Sequence, residues 1–124
     1  MINPLLVFIG GGTGAVARYG VSHLVGQFTR DGFPYPTLTI NLLGAFLIGL
    51  FAGFEEMHMS HPSVRFLLVT GFLGGYTTFS TFSLESALLL QRGDYLGLAL
   101  YVGVSVLGTV ALVFAGSALM RAFG

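Results

Sequence analysis

The chain has 124 residues, is 54% hydrophobic and only 8% charged, and carries a formal net charge of zero. Water-soluble domains carry about 25% charged residues, so this composition cannot cover a water-facing surface and describes an integral membrane protein. The absence of cysteine excludes disulfides and thiolate metal sites, and the few basic residues are too scattered for nucleic-acid binding.

At about 20 residues per crossing, the length admits one domain and at most four or five spans. Four apolar runs stand out, Pro4–Gly26, Thr37–Phe54, Val64–Gln91 and Tyr95–Phe123. The expectation is a single four-span domain over residues 1–124. The segments between the runs, "QFTRDGFPYP", "EEMHMSHP" and "RGDY", hold most of the charge and read as loops at the membrane surfaces. Backbone groups in lipid must bond within their own segment, and no alternating ten-residue pattern suggests a barrel, so the fold class is all-α. The opening "MINPLLVFIG" lacks a positive leader, and the first apolar run is expected to stay in the mature protein.

The first span contains "LLVFIGGGTGAVARY", in which Gly10, Gly12 and Ala15 imitate a dinucleotide-binding glycine loop. That pattern needs a βαβ unit around it, and a hydrophobic span supplies none. Arg18 is ionisable at depth and so a functional candidate. It can raise the positive potential of a vestibule and attract anions, snorkel to the interface, or pair with a carboxylate.

In the second span Asn41, Ala45, Gly49 and Gly53 recur every four residues, a stripe of small side chains on which helices associate in lipid. Gly103 and Gly108 are expected to serve similarly in the fourth. So small a four-helix unit has little interior, which points to a homo-oligomer.

The third span holds "GFLGGYTTFSTFS", Gly71 to Ser83. Each of Gly71, Gly74 and Gly75 lowers helix propensity by about 1 kcal/mol relative to alanine. Non-helical backbone at depth survives only where protein or a hydrated cavity surrounds it. The density of glycines and hydroxyls here favours a functional break near Gly74–Thr78, with freed carbonyls able to bind a cation, over simple packing. Phe79 and Phe82 share a helix face. They alternate with Thr77, Thr78, Ser80, Thr81 and Ser83, and their ring edges carry the positive part of the aromatic quadrupole. Glu85 follows three residues on, and its carboxylate would repel an anion unless protonated, paired or turned aside.

In the fourth span Tyr101, Ser105 and Thr109 form a hydroxyl row at i, i+4 and i+8, about 12 Å long. With the Asn41 amide, these groups offer hydrogen-bond donors, ring edges and few charges, a lining suited to a small anion that must bind and leave. His23, His58 and His61 lack a convincing ligand set, so no transition-metal site is expected. Every basic residue is an arginine; alternating spans put Arg30 and Arg92 on one side and Arg65 and Arg121 on the other, so loop charge states no orientation. This balance leaves open a single orientation set by the insertion machinery, or insertion both ways with antiparallel pairing.

Four segments together, "GGGTGAVARY", "TLTINLLGAFLIG", "GFLGGYTTFSTFSLE" and "YVGVSVLGT", resemble the small bacterial fluoride channels called Fluc or CrcB, in order and spacing over the whole chain. The resemblance implies an antiparallel, dual-topology homodimer with two fluoride pores in the bacterial inner membrane, and no enzymatic activity. It implies a structural sodium ion at the dimer centre, held by the carbonyls of Gly74 and Thr77 in the broken third helix. Phe79 and Phe82 correspond to the family's ring pair and Asn41 to its pore asparagine. Tyr101, Ser105 and Thr109 correspond to its polar track, and Arg18 and Glu85 to a family arginine and glutamate. Where Thr109 stands the family often has serine. A proton-coupled exporter of the small multidrug type is the main rival; it wants a carboxylate near mid-membrane, typically in the first span, which has none here, and would have to recruit Glu85. A non-conducting scaffold would leave the hydroxyl row without purpose.

Overall fold

The computed structural model describes residues 2–29 and 31–124; Arg30, one of the loop arginines weighed for orientation, lies outside them. Among the described residues the chain is helical throughout, without strands. Helix α1 is Ile2–Gly26 and α2 is Tyr35–Met57. Helix α3 runs over 62–76, with a π-helical stretch at Phe66–Leu73; α4 is Ser80–Gln91; α5 is Tyr95–Phe123, with a π-helical turn at Val104–Gly108. The ends lie within about three residues of the apolar runs, ordinary play for helix termini.

Three of these helices are long and apolar enough to cross a bilayer by themselves: α1, α2 and α5, with mean hydropathies of 1.2, 1.9 and 2.3. The third run is split. Its second half, α4, has 12 residues, a rise of about 18 Å against a hydrocarbon core of about 30 Å, so the halves reach across only in series.

Local chemistry explains where the helices start and stop. Pro62 opens α3 where its missing N–H is no loss, and the His61 ring accepts from the Ser63 N–H at 3.1 Å. Gly93, at φ 75°, takes the left-handed turn that closes α4, and Asp94 then caps α5 by accepting from the Gly97 N–H at 2.9 Å.

The helices pack as two parallel pairs, each joining spans that are next-but-one in sequence. Helix α1 lies against α3. A Cβ on Gly10 would strike the Leu67 carbonyl, one on Gly14 the Phe72 carbonyl, and one on Gly75 the Gly11 carbonyl. Within the segment that imitates a nucleotide loop, Gly10 and Gly14 are thus the surface on which two backbones approach, while Gly12 faces open space. Helix α2 lies against α5 in the same manner. A Cβ on Gly49 would meet the Val113 carbonyl, one on Gly53 would come within 2.7 Å of the Ser117 carbonyl, and Ser117 donates to the Gly49 carbonyl at 3.0 Å. The small-residue stripe of α2 is therefore spent inside the chain. Gly108 follows the same rule, its Cβ position being 2.9 Å from Leu42, but Gly103 does not: nothing lies within 4 Å of a Cβ there. Among the described residues of the chain, Gly103 packs no helix and lines an open notch with Ala99, Leu100 and Leu107.

Little apolar side chain is buried. Ile40, Ala45, Leu73, Tyr76, Leu89 and Tyr101 form the core, while Phe8, Tyr19, Phe79, Leu107 and Phe114 are exposed. Such a surface belongs in lipid or against another chain.

Candidate functional site around the helix break

Helical bonding in the third span stops at Tyr76 and resumes at Ser80. Thr77 is extended, at φ −79° and ψ 157°. Both its N–H and its hydroxyl donate to the Leu73 carbonyl, each at 3.0 Å, which closes α3. Thr78 has no helical partner and is held from outside. Asn41 Nδ2 donates to the Thr78 carbonyl at 3.0 Å, and the Thr78 N–H donates to Asn41 Oδ1 at 3.0 Å. This reciprocal pair fixes the amide orientation, since the alternative would set donor against donor. Thr78 Oγ1 in turn accepts from the Thr81 N–H at 3.3 Å and thereby caps α4. Asn41 thus keeps one N–H rather than two for anything else. At the end of α3, Arg18 Nε donates to the Gly75 carbonyl at 3.2 Å.

A groove of about 490 Å³ opens beside the break, between α2, α3 and α5. Asn41, Gly74, Thr77, Phe79, Phe82, Ser105 and Thr109 share it, and apolar side chains such as Ile48, Val69 and Val113 make up most of the wall. Gly44 lets α2 come this close, because a Cβ there would collide with the Thr77 methyl group. The rings of Phe79 and Phe82 lie 5.5 Å apart, tilted by 39°. Phe79 is 77% exposed, so the groove is open along one side.

The expected hydroxyl row does not behave as a row. Thr109 donates to its own helix, to the carbonyls of Ser105 and Val106. Tyr101 is wholly buried and donates to Glu85 Oε1 at 2.9 Å. Its ring packs on Phe82 at 5.0 Å and edge-on to Phe33 at 5.7 Å. Of the three, only Ser105, 7% exposed, has a buried hydroxyl without a partner among the described residues. The π-helical turn at Val104–Gly108 inserts a residue into the register, so the i, i+4, i+8 spacing no longer traces one line. Ser80 and Thr81 stand outside the groove wall, their hydroxyls near Thr78 Oγ1 at 3.3 and 3.2 Å.

Glu85 is turned away from this groove. It lines a second cleft of about 370 Å³ with Thr29, Phe33, Leu89 and Arg92, and Tyr101 touches a residue of each cavity, Glu85 here and Phe82 in the first groove. Gly74 and Thr77 both face the first groove, and among the described residues neither carbonyl receives a hydrogen bond. Two unspent carbonyl oxygens suit a hard cation. Among the described residues, no three His, Asp or Glu side chains converge on a possible metal position.

Residues 5–117 match the family described as CrcB-like protein, Camphor Resistance. The chain belongs to that family. It is similar to the protein named "Fluoride-specific ion channel FluC" of Rhizobium etli, 44% identical over 123 residues and 98% of each chain. The protein of the same name in Rhodopseudomonas palustris is 50% identical over 119 residues, 95% of this chain and 96% of that one. Another, from a Hydrogenobaculum species, is 50% identical over 109 residues, 86% of this chain and 88% of the relative. With three membrane-capable helices and this membership, the CrcB-like chain is a multi-pass membrane protein.

Proposed function

We propose that the chain is a fluoride channel, not an enzyme, that carries the ion passively through the groove beside the helix break. The observation that carries this reading is the composition of that groove. A buried, unpartnered Ser105 hydroxyl, the remaining Asn41 N–H and two phenylalanine rings share a wall that is mostly apolar and carries no charged side chain. Fluoride is small and accepts hydrogen bonds strongly, and neutral donors with ring edges hold it without the grip of a full positive charge. The names of the relatives support the same ion.

One chain leaves the groove open at Phe79, so a second copy is needed to close it. An antiparallel homodimer inserted in both orientations supplies one and gives two pores. A sodium ion would be held by the Gly74 and Thr77 carbonyls, and its charge would offset the oxygen dipoles left by the break. The location is the bacterial inner membrane and the role is resistance to fluoride. Hydrogen fluoride enters neutral and ionises inside; the membrane potential then drives the anion out with about 2.3 kcal/mol per 100 mV, so neither ATP nor proton coupling is required.

The test is fluoride efflux from potassium-loaded liposomes. Rapid efflux on adding valinomycin supports the channel. Efflux only under a proton gradient would indicate an exporter, and none would leave a scaffold. Reporter fusions at the C-terminus should give signal on both faces of the membrane; a one-sided signal refutes dual insertion.

A further inference from the structure

Arg18 reaches depth without a carboxylate: among the described residues it forms no ion pair, and its one side-chain hydrogen bond is from Nε to the Gly75 carbonyl. A half-buried guanidinium within a membrane-spanning helix needs compensation, and the carbonyls at a helix C-terminus carry the negative end of the helix dipole. Helix α3 ends one residue later, at Tyr76. The placement follows from spacing. Gly10, Gly14 and Arg18 lie on one face of α1 at intervals of four. The two glycines bring that face onto α3, and Arg18, the next position along it, meets the end of α3. On the other side of the break, Asn41 grips the Thr78 peptide.

We propose that Arg18 is a positioning residue: its Nε–H fixes the end of α3, and through it the break that sets Phe79 and Phe82, so that its contribution to conduction is a hydrogen bond and not the recruitment of anions by charge. The inference rests on the channel reading above for its effect on flux, but not for its effect on the backbone.

Side-chain length separates the two roles. Glutamine places an N–H at the same number of bonds from Cα as Arg Nε, without charge. Lysine keeps the charge but puts a methylene there. The experiment is fluoride efflux for Arg18→Gln, Arg18→Lys and Arg18→Met, with hydrogen exchange of the amides of residues 77–79 in detergent. Arg18→Gln should stay within about threefold of the unsubstituted chain, while Arg18→Lys and Arg18→Met fall by about tenfold or more. The ratios should hold from about 10 mM to about 1 M salt, across which the screening length shrinks from about 30 to 3 Å. The exchange should quicken in the Lys and Met variants and not in Gln.

If Arg18→Lys performs as well as or better than Arg18→Gln, the proposal is overturned. A Gln deficit confined to low salt overturns it too, in favour of charge recruitment. Should the Met variant fail to fold, the Gln and Lys pair still decides. Should the unsubstituted chain carry no fluoride, the channel reading fails, and the exchange data alone judge Arg18.

Discussion

Truncating Asn41 to alanine removes both bonds to the Thr78 peptide, each 3.0 Å long. A neutral hydrogen bond contributes about 0.5–1.5 kcal/mol net, and interhelical ones in membranes average about 0.6 kcal/mol, so the pair amounts to about 1–3 kcal/mol. Aspartate is the more informative change. It keeps the acceptor for the Thr78 N–H but replaces the donor with an oxygen facing the Thr78 carbonyl, and it adds a negative charge to the groove. At about 1.4 kcal/mol per decade, Asn41→Ala should speed amide exchange across residues 77–81 by about 5- to 140-fold. Asn41→Asp should abolish valinomycin-driven fluoride efflux, while Asn41→Ala lowers it. Unchanged exchange in the alanine variant together with undiminished flux in the aspartate variant would refute both the grip on Thr78 and the place of Asn41 on the ion route.

Phe79→Ile or Phe82→Ile should cut efflux strongly while gel filtration shows the assembly unchanged; normal efflux from both removes the rings from the pore. Ser105→Ala removes a buried hydroxyl that has no partner, so thermal stability in detergent should hold or rise while efflux falls. A stable variant with full flux would strip Ser105 of its role. Gly14→Val should prevent assembly of α1 on α3, because its Cβ meets the Phe72 carbonyl. Gly12→Ala, at a position with nothing within 4 Å, should instead be tolerated and add up to about 1 kcal/mol of helix propensity. Equal outcomes for the two glycines, read as folded yield in detergent, would contradict the α1–α3 packing.

The spans are legible because length and apolarity are local quantities, and Val64–Gln91 announces its own peculiarity through Gly71, Gly74 and Gly75. The residues around the groove are legible as types but not as roles. Thr109 and Ser105 look alike in sequence, yet one spends its proton on its own helix and the other keeps it free. Nothing near Glu85 reveals that it faces the second cleft, since its partner Tyr101 is 16 residues away. The glycines before Arg18 carry a usable signal, the four-residue interval from Gly10 to Gly14 to Arg18. The match of Gly10, Gly12 and Ala15 to a nucleotide loop draws attention from it, and the acceptor at Gly75 is visible only in three dimensions.

The pairing of α1 with α3 has a consequence for biosynthesis. Arg18 is made 57 residues before the carbonyl that receives it. At about 5–20 residues per second, the growing chain must tolerate an unsatisfied guanidinium for several seconds. During that interval the first helix has neither its glycine-faced neighbour nor a counter-dipole. A nascent chain halted before Gly75 should therefore leave its leading helix loosely seated in the translocon, to be locked in place only when the third segment emerges.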